Sequence, residues 1–253
     1  EASEVITDET GAVTSLVYPR ERAAPAAATA PATSAEASAP LALPPLPSHR
    51  LTPIVRPSTA YERTDADRAL QTTAEAVVDA ETARKSGIAL HALLQHLPKV
   101  AREQWNEVAL RALAALLPEA PQHHKTLAQK AISILTKPQL QHLFGSDSRP
   151  EVPFLVNALR KGEEVTLAGR IDRLIVGDRI VTVVDFKSVA NPPAEGREAP
   201  PAYATQIGLY ALVASQLFRG FEVRGAILWT SLESLLELPR HALAEGASAF
   251  TMR

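Results

Sequence analysis

Asp172, Asp185 and Lys187 have the types and the spacing to act together on a phosphodiester. Gly177-Asp178 lies between two apolar runs and reads as a two-residue hairpin turn. With that turn Val176 pairs with Arg179, and counting outward sets Asp172 against Val183. Side chains alternate faces along a strand. Asp185 and Lys187 therefore share a face with Val183, and so with Asp172. The two carboxylates become diagonal neighbours, roughly 7–8 Å apart at the backbone. At that separation both can reach one hard cation such as Mg²⁺, which takes oxygen ligands and keeps several waters. Lys187 would stand beside the cation, placed to orient a water or to steady charge on a phosphate. A cation, a source of hydroxide and a positive neighbour are the parts that metal-assisted phosphodiester hydrolysis needs.

An Asp-x-Lys alone is also what a solvated strand end looks like. The flanking residues argue against that here. Ile171, Ile175, Ile180, Val181, Val183, Val184 and Phe186 make both faces apolar, as in strands covered on both sides. Charges buried there need partners. Further on, Tyr203, Gln206 and Tyr210 are spaced three and four apart and share one helix face. Gln206 and Tyr210 could touch the site, whereas Tyr203 reads equally well as core. His91 sits among leucines, where a histidine is usually a satisfied core residue, although neutral imidazole can ligate a divalent metal.

Several elements must position these residues. Glu4–Thr7 and Ala12–Tyr18 form a short strand pair around Glu9-Thr10-Gly11. Residues 20–48, rich in Ala, Pro and Ser, read as a linker that cannot bury enough apolar surface to fold. Residues 1–60 are thus expected to be largely extended or disordered, with a domain over 61–253. Its first part, 61–148, is helical in pattern. One helix begins after Ser86-Gly87, carries Ile88, Leu90, Leu93, Leu94 and Leu97 on one face, and ends at Pro98. Ala101–Leu117 and His124–Thr136 follow, with a short helix over Pro138–Phe144. From 149 onward the pattern becomes α/β. Strands are expected over Val152–Leu159, Val165–Val176, Arg179–Phe186, Val223–Thr230 and Leu235–Leu238, with a helix over Ala202–Phe218.

Composition sets outer bounds. The chain of 253 residues is 46% hydrophobic and 21% charged, as in globular domains. No apolar run approaches the roughly 18 residues of a membrane span, and no signal peptide is visible. The absence of cysteine excludes disulfides and thiolate metal sites and fits a reducing cytoplasm. Of 26 basic and 28 acidic side chains, residues 1–60 hold 4 and 6, which leaves 22 of each in residues 61–253. A self-sufficient DNA binder usually carries a basic excess. A nucleic acid strand would then have to be delivered by something else. Because the chain begins with Glu1 instead of Met, it is expected to be part of a longer polypeptide.

Taken together, Gly169-Arg170-Ile171-Asp172-Arg173-Leu174, Val184-Asp185-Phe186-Lys187-Ser188 and Gln206-Ile207-Gly208-Leu209-Tyr210 resemble the RecB-type branch of the PD-(D/E)XK nucleases. Leu90-His91-Ala92-Leu93-Leu94 looks like the upstream histidine motif of that branch. Arg56-Pro57-Ser58 and Ala226-Ile227-Leu228-Trp229-Thr230 are similar to the nuclease domains of the AddA-type helicase–nucleases of bacterial double-strand break repair. The resemblance implies a restriction-endonuclease-like mixed sheet flanked by helices. It implies His91, Asp172, Asp185 and the Phe186 carbonyl as Mg²⁺ ligands, with Mn²⁺ able to substitute. Lys187 would be the catalytic lysine, Gln206 and Tyr210 would support the site, and Glu151 would be a further acidic member. It implies single-stranded DNA fed by a helicase part of the same polypeptide, and an AddB-type partner subunit. No Gly-x-x-x-x-Gly-Lys-Ser/Thr loop occurs in the chain, so the family's ATPase would lie elsewhere. The alternative is a non-catalytic DNA-binding or scaffolding module with a nuclease-like fold.

Overall fold

The computed structural model describes residues 4–7, 13–17, 52–61, 74–189 and 199–253, and in the helix that begins at 74 it describes side chains from residue 81 onward. Two units result, residues 1–49 and 50–253. In the first, strands β1 (Glu4–Thr7) and β2 (Val13–Val17) pair antiparallel, as the sequence suggests. The expected linker, residues 20–48, lies outside the described residues.

The second unit begins earlier than the expected boundary after residue 60. Strand β3 (Ile54–Val55) pairs in parallel with β5, and a 3-10 turn at Pro57–Thr59 follows. Ala60 is buried and its carbonyl accepts a hydrogen bond from Arg160 at 3.2 Å. Backbone pairing ties this lead-in to the sheet, so it belongs to the domain.

Helix α1 spans Ala74–His96, α2 Trp105–Leu116 and α3 His124–Thr136, with 3-10 turns at Leu97–Lys99, Arg102–Gln104, Pro121–His123 and Pro138–Phe144. Pro98 does stop α1, since its ring removes a donor and clashes with the preceding turn. Ser86-Gly87, however, lies inside α1 and not at its start. A Cβ on Gly87 would sit 3.3 Å from the Ser188 Cβ. The glycine serves close packing against the sheet instead of ending a helix. Leu90, Leu93, Leu94 and Leu97 are buried as expected, while Ile88 is 55% exposed.

The sheet runs β8-β7-β6-β5-β4-β9, with β3 beside the first half of β5. Its strands are β4 (Ser148–Arg160), β5 (Glu163–Val176), β6 (Ile180–Lys187), β7 (Glu222–Trp229), β8 (Ser234–Leu238) and β9 (Phe250–Met252). All neighbours are antiparallel except β6 with β7 and β3 with β5. Helix α4 (Pro201–Leu217) connects β6 to β7, and a short α5 (Arg240–Gly246) packs against it. Strand β9 and α5 carry too short a pattern to be read from sequence. Among the described residues, no helix is long and apolar enough to cross a membrane.

Alternation along β6 and β7 explains the layering. Val184, Phe186, Ala226 and Leu228 join the leucines of α1 and the cores of α2 and α3. Val181, Val183, Ile227 and Trp229 face the opposite way, toward α4 and α5. Helices thus cover both faces of the central strands, and Asp185 and Lys187 fall on the α4 side by the period of two.

The α4–α5 contact depends on Gly208. A Cβ there would lie 2.5 Å from the Leu243 carbonyl oxygen and 3.0 Å from the Ala247 nitrogen. Both are main-chain atoms that cannot rotate aside. Alanine would gain about 1 kcal/mol in helix propensity but force α5 off α4, a strain of about 1–3 kcal/mol. Gly208→Ala is expected to destabilise by roughly 1 kcal/mol net, read as a lowered urea midpoint. An unchanged midpoint would mean that α5 yields freely.

Candidate functional site

The hairpin between β5 and β6 is longer than the sequence suggests. Val176 pairs with Val181, and Gly177 N–H closes the turn on the Ile180 carbonyl at 2.9 Å. A two-residue type I′ turn needs both central residues at positive φ. Here Arg179 takes the left-handed position instead, at φ 61°. The register is therefore two residues off the expected one. A shift of two leaves every side chain on its expected face. The ladder runs to Arg173 opposite Val184, and continuing the count sets Asp172 opposite Asp185, directly and not diagonally. The strands part there. The Asp172 Oδ2 takes the hydrogen that the ladder leaves over, accepting from Phe186 N–H at 2.7 Å.

Asp185 is 3% exposed and held by Gln206 of α4. Gln206 Nε2 donates to Asp185 Oδ1 at 2.7 Å and to the Tyr210 hydroxyl at 2.9 Å. Its Oε1 accepts from Lys187 Nζ at 2.7 Å. One buried amide thus fixes the carboxylate, the ammonium and the phenol at once. Tyr203, three residues earlier, packs on Trp229 and also lies under Lys187 Nζ, 4.7 Å from ring centre to nitrogen. It is both core and cation-π partner. Lys187 Nζ approaches Asp185 Oδ2 at 2.8 Å, yet that oxygen makes no hydrogen bond and is fully buried. Distance makes the contact ionic, while its angles leave the directional demand of Oδ2 unmet.

On the other side, His91 of α1 stacks edge-on against Phe186, with centroids 5.5 Å apart. Its Nδ1 is 3.7 Å from Asp172 Oδ2, too far for a hydrogen bond. Burial pushes the imidazole below its ordinary pKa, which keeps it neutral and able to ligate. Glu151 enters from β4. The β4–β5 register brackets it between Pro150↔Arg173 and Val152↔Ile171, so it lies across from Asp172. Its backbone is left-handed, at φ 53°, and its carboxylate pairs with Arg170 at 3.1 Å. A non-glycine held there stores strain of about 1–3 kcal/mol, a feature that gathers at functional sites.

The electrostatics follow from burial. Asp185 is pushed up to about 6 by desolvation first and by the charge of Asp172 second, against the pull of Lys187. Asp172 is raised to about 6, mainly by desolvation and despite the Phe186 hydrogen bond, with Glu151 adding to the rise. Burial also drives Tyr210 well above its usual range. Beside Asp172, Arg173 is 3% exposed. It donates to the Leu94 carbonyl at 2.5 Å and lies over the Phe144 ring at 4.8 Å. It pins the end of β5 to α1, a role that the sequence does not reveal.

The structure therefore brings Asp172, Asp185, Lys187, Gln206, Tyr210, His91 and Phe186 together, with Glu151 across from Asp172 and Tyr203 against Lys187. Among the described residues, no three histidine or carboxylate side chains converge as a ready cage for a metal. The donor set nevertheless suits a hard cation: carboxylate oxygens, a neutral imidazole, and a buried Oδ2 with no hydrogen bond. A cavity of about 460 Å³ between β8, α4 and α5, lined by Ala204, Leu236, His241 and Glu245 among others, contains none of these residues.

A profile of the PD-(D/E)XK nuclease superfamily matches residues 59–245. The chain belongs to that superfamily. Its mixed, helix-flanked sheet is the PD-(D/E)XK fold. No match is found among curated proteins. The chain is also similar to the crystal structure of SSO0001, at 18% identity over 52% of this chain and 68% of that one, with a TM-score of 0.27.

Proposed function

We propose that this PD-(D/E)XK domain hydrolyses DNA phosphodiester bonds with a divalent cation, Mg²⁺ or in its place Mn²⁺. The observation that carries the reading is Gln206, which bridges Asp185 and Lys187 at 2.7 Å each and leaves Asp185 Oδ2 fully buried with the Lys187 ammonium beside it. Asp172, Asp185, His91 and the Phe186 carbonyl would hold the cation. When bound, such an ion polarises the phosphate and makes hydroxide available near neutral pH. The chain's own residues do the rest. Lys187 places a positive charge beside the reacting phosphate. Gln206 keeps the lysine and the carboxylate in register, Tyr210 fixes Gln206, and the Tyr203 ring supports the ammonium as a cation-π partner. Glu151 adds negative charge beside Asp172, which favours a bound cation.

We further infer an exonuclease role within an AddAB-type helicase–nuclease of double-strand break repair. The motif spacing supports it, as does the even balance of 22 basic and 22 acidic side chains in residues 61–253, which suits a strand delivered by a helicase part and an AddB-type subunit. Supplying single strands directly removes the need for delivery. The chain is expected to cut end-labelled single-stranded DNA with Mg²⁺ and to stop when EDTA is added. Cleavage that survives EDTA would sink the metal-dependent reading. No cleavage with either ion, together with no metal-dependent rise in melting temperature, would favour the scaffolding module.

A further inference from the structure

We infer that Thr230 and Ser188 form a hydroxyl clamp that positions Lys187, an inference that rests on the nuclease reading. The ladder between β6 and β7 ends at Lys187 opposite Trp229. One step beyond, Thr230 N–H donates to the Lys187 carbonyl at 3.0 Å, and Thr230 Oγ1 lies 3.3 Å from the same oxygen. Thr230 Oγ1 is also 2.7 Å from Ser188 Oγ. Counting hydrogens orders the network. A hydroxyl has one proton to give. If Thr230 spends its proton on the Lys187 carbonyl, Ser188 must donate to Thr230. Lys187 is then gripped on its own carbonyl and through the residue that follows it.

The clamp reaches the other wall of the site. Ser188 Cβ fills the space that a side chain on Gly87 would take, at 3.3 Å. Gly87 is one helical turn before His91 on α1. The end of β6, the end of β7 and α1 thus meet at Ser188, and the separation of Lys187 from His91 is set there. Thr230 is 1% exposed, so it cannot touch substrate. It is a positioning residue. A displacement near 1 Å at a catalytic group can lower a rate by as much as about a hundredfold, so a loosened clamp should be visible in turnover.

Thr230→Val keeps the shape and removes the hydroxyl, whereas Thr230→Ser keeps the hydroxyl. On single-stranded DNA with Mg²⁺, Thr230→Val is expected to lower kcat about tenfold with KM unchanged, in keeping with a misplaced group. Thr230→Ser should restore it to within about twofold. A second readout needs no catalysis. Lys85-Ser86 and Lys187-Ser188 are the two Lys-Ser steps in the sequence, so a sample with lysine carbonyl ¹³C and serine ¹⁵N gives two correlations, and Ser188→Ala assigns them by deleting one. The Lys187-Ser188 correlation should move in Thr230→Val and stay in Thr230→Ser. Wild-type kcat in Thr230→Val, equal losses in both variants, or an unmoved correlation would overturn the clamp. Should Thr230→Val fail to fold, Ser188→Ala, expected to lose about threefold in kcat, carries the kinetic test. A wild-type chain that does not cut DNA would count against the nuclease reading alone, and the correlation shift would still decide the clamp.

Discussion

Asp185→Ala and Lys187→Met should each lower cleavage by about a thousandfold or more, as for loss of a group that stabilises transition-state charge, yet they should part company in stability. The difference lies in what each leaves behind. Asp185→Ala removes a carboxylate that desolvation already raises to about 6. The remaining ammonium keeps Gln206 Oε1 at 2.7 Å and the Tyr203 ring at 4.7 Å. Its side chain is 18% exposed, so the head can also reach water along its stem. Lys187→Met has no such outlet. It strips away the one cation within ion-pair distance, among the described residues, of a carboxylate that is 4% exposed. Removing one member of a buried pair is destabilising by about 3–5 kcal/mol, less whatever Asp185 regains by taking up a proton. Urea titration near pH 7.5 should therefore rank Lys187→Met well below Asp185→Ala. The double variant should recover most of the lost stability and none of the cleavage. Equal stabilities for the two single variants would show that the 2.8 Å contact has no energetic weight.

The face shared by Asp172, Asp185 and Lys187 is legible because strand geometry has a period of two, and an error of two in register does not disturb it. The turn itself is not legible, because nothing marks Arg179 as the residue that adopts positive φ. Gly87 misleads for a related reason. Glycine usually punctuates a helix, and only the contact with Ser188, 101 positions away, explains its place inside α1. The spacing of Gln206 and Tyr210 reveals a common face but not that the amide bridges opposite charges. Glu151 acquires its position from a strained backbone that no local pattern encodes. Burial of Arg173 and Thr230 is likewise a property of the assembled layers.

Stability without metal should fall as pH rises, and divalent cations should reverse the fall. Asp172 and Asp185 are both raised to about 6 in the fold, against about 3.9 in an unfolded chain. Between those values the folded state binds more protons than the unfolded one. The slope of unfolding free energy with pH is then negative. Stability is fullest near pH 4, declines through the window from about 4 to 6, and stays low above it. The two groups face each other across parting strands and titrate as a pair, so the transition should be broad. One pKa unit corresponds to about 1.4 kcal/mol, so a rise from about 3.9 to about 6 in both groups makes the loss on the order of 5–6 kcal/mol. A cation binds the deprotonated pair, so ligand stabilisation competes with protons. Mg²⁺ or Mn²⁺ should raise the melting temperature at pH 7.5 and leave it unchanged at pH 5. Asp172→Asn tests the cause. It keeps a side-chain oxygen for Phe186 N–H, removes one of the two like charges, and should flatten the pH dependence while abolishing the metal effect. A melting temperature that rises from pH 5 to pH 7.5 without metal, or a metal effect of equal size at both pH values, would show that the two carboxylates are not the coupled, desolvated pair that the geometry makes them.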